Sequence, residues 1–165
     1  MQKQECGERS RLIRMKRSIE VADVQNGERI LDLGCGDMLL ERLLPSNSEY
    51  VGVDLNSGTL RHNLEDGLPS EDKISGCVNP SKGFTNVGLE QFKSLLLECK
   101  DVLSDVGRIV ITTPSNNRIL YGDFFDGTGE ELMHIHCFRK TNMRNLARIL
   151  GFKLSAIKGT YIRFP

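Results

Sequence analysis

Residues 29–44, RILDLGCGDMLLERLL, join a run that reads as a buried strand to a run with helical spacing, with Gly34, Gly36 and Asp37 in the join. Ile30, Leu31 and Leu33 leave almost no polar face to RILDL, the mark of a strand covered on both sides. Such a strand needs partners on both edges and helices on both faces, which removes all-helical folds and antiparallel sheets with one wet face. Glycines at its end let the backbone adopt positive φ and approach a ligand closely, and a helix starting there would offer unpaired N–H groups to an anion.

The rest of the chain repeats the alternation of strand and helix. Residues 9–24 set Leu12, Ile13, Ile19 and Val24 on a helical stripe, with Arg9, Arg11, Arg14, Lys16 and Arg17 as a solvated face. After RILDL, the spacing of Leu39, Leu40, Leu43 and Leu44 predicts a helix that Pro45 stops. YVGVDL is a short apolar strand ending in Asp54. Leu89, Phe92, Leu96, Cys99 and Leu103 predict a helix, and GRIVITTP is the clearest strand of the chain. TNMRNLARIL predicts a last helix closed by Gly151, followed by a strand in FKLSAIKGT. The pattern implies an α/β fold with a doubly wound, mostly parallel sheet flanked by helices. It reads as a single domain, with a helix and lead-in over residues 1–27 and the core over 28–165. In such sheets ligands bind beyond the carboxyl ends of the strands, where the winding reverses, so residues 32–37 mark the expected site. Asp54, about 20 residues beyond the glycines, can accept hydrogen bonds from both hydroxyls of a ribose. A nucleoside ligand is the expectation.

Composition narrows the partners. Acidic and basic residues balance at 22 each, so no global field draws the chain to nucleic acid, and no aromatic residues interleave with the basic ones to stack on bases. No stretch approaches the roughly 18 apolar residues of a membrane span, and no leader pattern opens the chain; a cytoplasmic protein with no membrane partner is expected. The five cysteines are scattered and form no CxxC pair, which fits reduced thiols. Cys35, between two glycines, reads as a small residue suited to a tight turn.

LDLGCGD followed by VGVDL resembles the first two motifs of class I S-adenosylmethionine-dependent methyltransferases, the small Rossmann-like kind. LRHNLEDGLP is similar to that family's third strand and adenine loop, VLSDVGRIVITTPSN to its helix and fifth strand, and HIHCFRKTNMRNLARILGFKL to its closing segment. The resemblance implies that Asp32, Gly34, Cys35 and Gly36 line the methionine part of S-adenosyl-L-methionine. By the same carry-over Asp54 holds the ribose, Leu55 lies against the adenine, Asn63 accepts from the adenine amino group, and Leu64 presents its backbone N–H. The implied reaction is methyl transfer to a small-molecule acceptor by in-line displacement; the alternative is a non-catalytic or degenerate domain that at most binds the cofactor or its demethylated product. A nicotinamide-dependent oxidoreductase would need a third glycine where Leu39 stands. His134 and His136 are the candidates for a general base, or else packing and hydrogen-bonding residues of a loop. With Cys137 they lack a fourth metal ligand, so no metal is expected.

The chain departs from the family in four places. Met38 stands where a third glycine is common, and the connection from Asp54 to Asn63 is too short for a crossover helix. The fourth strand is replaced by ISGCVNPSKGFTNVGLEQF, whose Pro80 and Gly83 oppose a central strand. Three readings stay open there: FTNVG as a poor strand with Glu90 and Gln91 in the family's Glu and His positions, an excursion over the site, or a shifted reading frame. Finally, TYIRFP leaves scarcely enough residues for a seventh strand; an edge left open would favour pairing with a second copy as a homodimer.

Overall fold

The computed structural model describes residues 2–69, 74–79, 89–113 and 140–159. Helix α1 (Gln2–Ala22) leads into β1 (Arg29–Leu33), and β2 (Glu49–Asp54) and β3 (Leu60–Arg61) follow. Strand β4 (Ile74–Asn79), helix α2 (Leu89–Val102), strand β5 (Leu103–Ile111) and helix α3 (Lys140–Ile149) complete the described elements. Every ladder is parallel, and the spatial order is β3-β2-β1-β4-β5. The chain steps outward from β1 to β3, then returns to pair β4 on the other edge of β1. The winding therefore reverses between β1 and β4, at the carboxyl edge where residues 32–37 lie.

Strand alternation divides the sheet into two unlike faces. Leu31 and Leu33 of β1, with Val51 and Val53 of β2, pack in one core with Phe92, Leu95, Leu96, Cys99 and Val102 of α2. Leu146, Leu150 and Phe152 close that core from the α3 side. On the opposite face Ile30 packs with Met15 and Ala22 of α1 and with Val24 and Leu40, and Tyr50 and Val110 lie against them. Because side chains alternate with period two, Asp32 falls on the α1 face with Ile30.

Several expectations are corrected by this packing. The buried stripe of α1 is Met15, Ser18 and Ala22, while Ile13 is exposed; the face is chosen by contact with the sheet, and apolar spacing alone did not identify it. In α2 the buried set is Phe92, Leu95, Leu96, Cys99 and Val102, with Leu89 outside and Leu103 already in β5. No α-helix follows β1. Gly36 and Met38 both take positive φ (56° each), which leaves six residues before Pro45, and only a 3₁₀ turn forms at Glu41–Leu43. A run that short cannot offset the cost of helix nucleation.

The fourth strand is formed by ISGCVN, paired in parallel with β1 and β5. β4 ends at Asn79, so Pro80 and Gly83 follow the strand and do not interrupt it. Residues 80–88, which include FTNVG, lie outside the described residues, as does the tail from residue 160 where a seventh strand was in question. Helix α3 ends as expected at Gly151 (φ 71°), where the Phe152 N–H donates to Ala147 O (2.8 Å) and the Gly151 N–H to Arg148 O (3.2 Å). That pair of bonds is a Schellman motif. The strand expected in FKLSAIKGT does not form over its described residues 152–159, where Leu154 is exposed. Among the described residues no helix is long and apolar enough to cross a membrane.

Phe92 is fully buried at the centre of the α2 core. Phe92→Ala should lower stability by about 3–5 kcal/mol, through lost transfer energy and a cavity that the sheet cannot fill. Urea unfolding should read this as a fall in midpoint at unchanged slope.

Candidate functional site

The loop after β1 is held in place by the strand beside it. Gly34 turns the chain with φ 74°, and the N–H groups of Gly34 and Cys35 both donate to Val53 O, at 2.7 and 3.1 Å. One residue further along β2, the Asp54 carboxylate accepts from the Gly36 N–H (3.1 Å), the Asn56 N–H (3.0 Å) and the Ser57 hydroxyl (3.2 Å). The Ser57 hydroxyl also lies 2.6 Å from Gly36 O, the closer of its two acceptors. A carboxylate offers about four lone-pair sites, so Asp54 keeps about one for a ligand before any present donor must leave.

Glycines behind the loop make room for Cys35. A Cβ on Gly58 (φ 92°) would stand 2.6 Å from Gly52 O and 2.7 Å from the Cys35 sulfur, and one on Gly52 would meet the Cys35 sulfur at 2.9 Å. Burial, followed by the carboxylates of Asp32 and Asp54, pushes the Cys35 thiol up to about 11. It is a protonated packing group at neutral pH. Met38 holds the left-handed conformation that glycine adopts freely, at a cost of about 1–2 kcal/mol for a residue with a side chain.

Asp32 is the least solvated acid of the site. It is fully buried; Tyr50 donates its hydroxyl to Oδ2 at 2.8 Å, and Oδ1 has no partner. Burial drives the carboxyl up to about 7, against the opposing pull of the Tyr50 hydrogen bond and the Arg11 charge. Tyr50 is itself pushed up, by burial first and then by Asp32. The N-terminal helix completes the site, because Arg11 forks onto both oxygens of Asp37, with Nη1 2.8 Å from Oδ2. Arg11 holds the Asp37 carboxyl below its ordinary value, and its Nη2 lies 3.6 Å from where a Cβ on Gly36 would be.

No family model matches the sequence, and no curated protein is significantly similar to it. Solved structures are similar in fold. A Haloferax volcanii methyltransferase in complex with the Trm112 activator superposes with TM-score 0.66 at 16% identity, over 89% of this chain and 71% of that one. A Burkholderia thailandensis 1,6-didemethyltoxoflavin-N1-methyltransferase, with 1,6-didemethyltoxoflavin and S-adenosylhomocysteine bound, gives 0.60 at 12%, over 83% and 66%. A TehB-like S-adenosylmethionine-dependent methyltransferase from Corynebacterium glutamicum gives 0.57 at 15%, over 83% and 71%. The chain has the class I methyltransferase fold.

Within that fold the sequence-predicted residues fall into two groups. Asp32, Gly34, Cys35, Gly36 and Asp54 come together where β1 and β2 end, and Leu55, next in the chain, is 63% exposed. Asn63 and Leu64 sit past β3, where the Asn63 side-chain oxygen accepts from the Glu65 N–H (3.1 Å) and caps a 3₁₀ turn at Leu64–Asp66. Leu64 is buried and its carbonyl accepts from Gln91 (3.4 Å). His134 and His136 lie outside the described residues, and so does Cys137. Sequence reasoning missed Tyr50, Ser57 and the role of Arg11. Tyr50 was within reach, since it shares a strand face with Gly52, which pairs Asp32 in the parallel register. Arg11–Asp37 spans 26 residues and carries no local signal. Arg11 and Arg14 are also removed from the solvated face, whereas Arg17 stays there, paired with Glu20 at 2.7 Å.

Because the folded chain raises the Asp32 carboxyl above its unfolded value, protonation favours folding. That contribution is full below pH 3.8 and is lost as pH rises through about 7. Asp32→Asn, which stays neutral and can still accept from Tyr50, should therefore gain on the native chain between pH 4 and pH 8, by up to about 4 kcal/mol. Chemical denaturation across that range measures it.

Proposed function

We propose that the chain binds S-adenosyl-L-methionine at the carboxyl ends of β1 and β2 and transfers its methyl group to a small-molecule acceptor by in-line displacement. The observation that supports this reading is the hydrogen bond from the Gly36 N–H to the Asp54 carboxylate at 3.1 Å, which joins the glycine loop to the acid proposed for the sugar. The residues fit an amino acid joined to a nucleoside. Gly34 and Gly36 give the backbone access to the amino-acid end, the unpartnered Oδ1 of Asp32 can accept from an ammonium group, and Asp54 has capacity for a ribose hydroxyl. Leu55 supplies an apolar surface for the base. Asn63 can accept a second bond on the oxygen that already caps the turn.

The cofactor supplies an already activated methyl group on a sulfonium, so the protein's part is mainly alignment. Positioning alone can contribute about 7–11 kcal/mol, and a general base about 3–5 kcal/mol more. Asp54 and the loop would hold the nucleoside, and Asp32 is buried from water on the α1 face of the sheet. The Burkholderia enzyme, solved with a heterocyclic acceptor, supports the small-molecule class of substrate. His134 or His136 is proposed as the base for acceptors that must lose a proton.

Titration calorimetry should detect binding of both S-adenosylmethionine and S-adenosylhomocysteine. Asp54→Ala should weaken it about tenfold or more, because hydrogen bonds to a charged group contribute about 1.5–3 kcal/mol each. NADH should leave the melting temperature unchanged. Failure of both cofactor forms to bind would overturn the reading, while binding without transfer to any acceptor would favour a non-catalytic domain.

A further inference from the structure

Tyr50 lies on the α1 face of the sheet, and its hydroxyl donates to Asp32 Oδ2 at 2.8 Å. The bond runs diagonally across the ladder, since Asp32 is paired with Gly52 and Tyr50 with Ile30. Glycine at position 52 makes that reach possible. A Cβ there would stand 2.8 Å from the Tyr50 hydroxyl, 2.9 Å from a carbon of its ring and 2.9 Å from the Cys35 sulfur. Asp32 is fully buried, and among the described residues Oδ1 has no hydrogen-bond partner. The other groups facing it act through charge. Arg11 comes from α1 and is forked on Asp37, Asp54 comes from the end of β2, and on β4 the paired residue is the uncharged Val78. Burial first, then the nearby acids, push the Cys35 thiol up to about 11, so it carries no charge at neutral pH. Tyr50 is also pushed up, by burial and then by Asp32, so its hydroxyl keeps its proton and remains a donor.

The terminal torsion of an Asp side chain is broad, so a carboxylate without a fixed donor can turn. A donor on the neighbouring strand stops that turning and holds the second oxygen in one place. Burial favours the neutral acid, whereas a hydrogen bond to the charged form favours the carboxylate. The geometry points to Tyr50 as the positioning residue for Asp32: its hydroxyl ties Oδ2 to β2 and leaves Oδ1 as the oxygen offered to the ammonium group of the cofactor. That use of Oδ1 rests on the proposed function, whereas the tie between Tyr50 and Asp32 belongs to the free chain. Tyr50 thereby orients the acid and keeps its carboxylate form within reach of neutral pH, against the pull of burial.

Tyr50→Phe in the full chain removes the hydroxyl and keeps the ring, with Tyr50→Met in its place should the phenylalanine variant not fold. The probes are S-adenosylhomocysteine and its deaminated analogue, which lacks the amine, titrated by calorimetry across the pH range in which Asp32 ionises. The native chain should prefer the ligand with the amine, and that preference should appear as pH rises and the carboxylate forms. In the variant it should appear about one to two pH units higher, the size expected for one lost hydrogen bond to a carboxylate, and at neutral pH it should be about tenfold smaller. Affinity for the deaminated analogue should be nearly unchanged. In an Asp32→Asn background, where no carboxylate remains, Tyr50→Phe should leave the ratio of the two affinities as it is. A variant that weakens both ligands alike, with the pH dependence of the preference unmoved, would make Tyr50 a packing residue and overturn the proposal. So would a native chain that binds the two ligands equally. If the native chain binds neither S-adenosylmethionine nor S-adenosylhomocysteine, the proposed function falls and takes this use of Oδ1 with it. If it binds both and the preference does not move, the role of Tyr50 alone falls.

Discussion

The site depends on the parallel register of β1 on β2, in which Asp32 lies opposite Gly52 and Leu33 opposite Val53. That register sets Asp54 one residue past the last pair, level with the loop that leaves β1. A slip of one residue would turn Asp54 to the other face and move every apolar side chain of β2 out of its core, so the pairing is strongly specified by burial. The bonds from Gly34 and Cys35 to Val53 O, and from Gly36 to Asp54, then hold the loop without any helix behind it. Tight turns and side-chain acceptors take the place of the helix start expected from the sequence.

The two faces of the sheet share the work unevenly. The α2 face is an apolar core around Phe92 and the leucines of β1. The α1 face carries Asp32, Tyr50, Ser18 and Arg14 among its apolar contacts. Buried polar groups of this kind reduce stability unless each is satisfied, and among the described residues Asp32 Oδ1, Arg14 Nε and Arg108 Nε have no hydrogen-bond partner. Asp32 Oδ1 is an acceptor on a carboxyl that burial drives up to about 7.

Much of the frame was legible in the sequence because it rests on local periodicity and on residues with narrow conformational uses. The runs of Ile, Leu and Val identified β1, β2 and β5, Gly151 identified the end of α3, and Gly34 and Gly36 identified the sharp turn. What failed did so for physical reasons. The leucines at 39–44 have helical spacing, but left-handed Met38 and Pro45 leave too few residues to nucleate a helix. The central β4 was hidden because ISGCVN carries little apolar signal, and a strand paired on both edges can draw its stability from its neighbours. FKLSAIKGT has the composition of a strand, yet forms no ladder over its described part.

The sequence by itself determined that this chain alternates strands and helices around a glycine turn, with acids at the ends of two strands, since periodicity and φ preference are properties of short segments. Only the tertiary structure decided which groups meet. Arg11 finds Asp37 across 26 residues, Tyr50 finds Asp32 across 18, and Ser57 closes on Gly36 across 21. It also decided that burial drives the Asp32 carboxyl up to about 7, because desolvation depends on what surrounds a side chain in space.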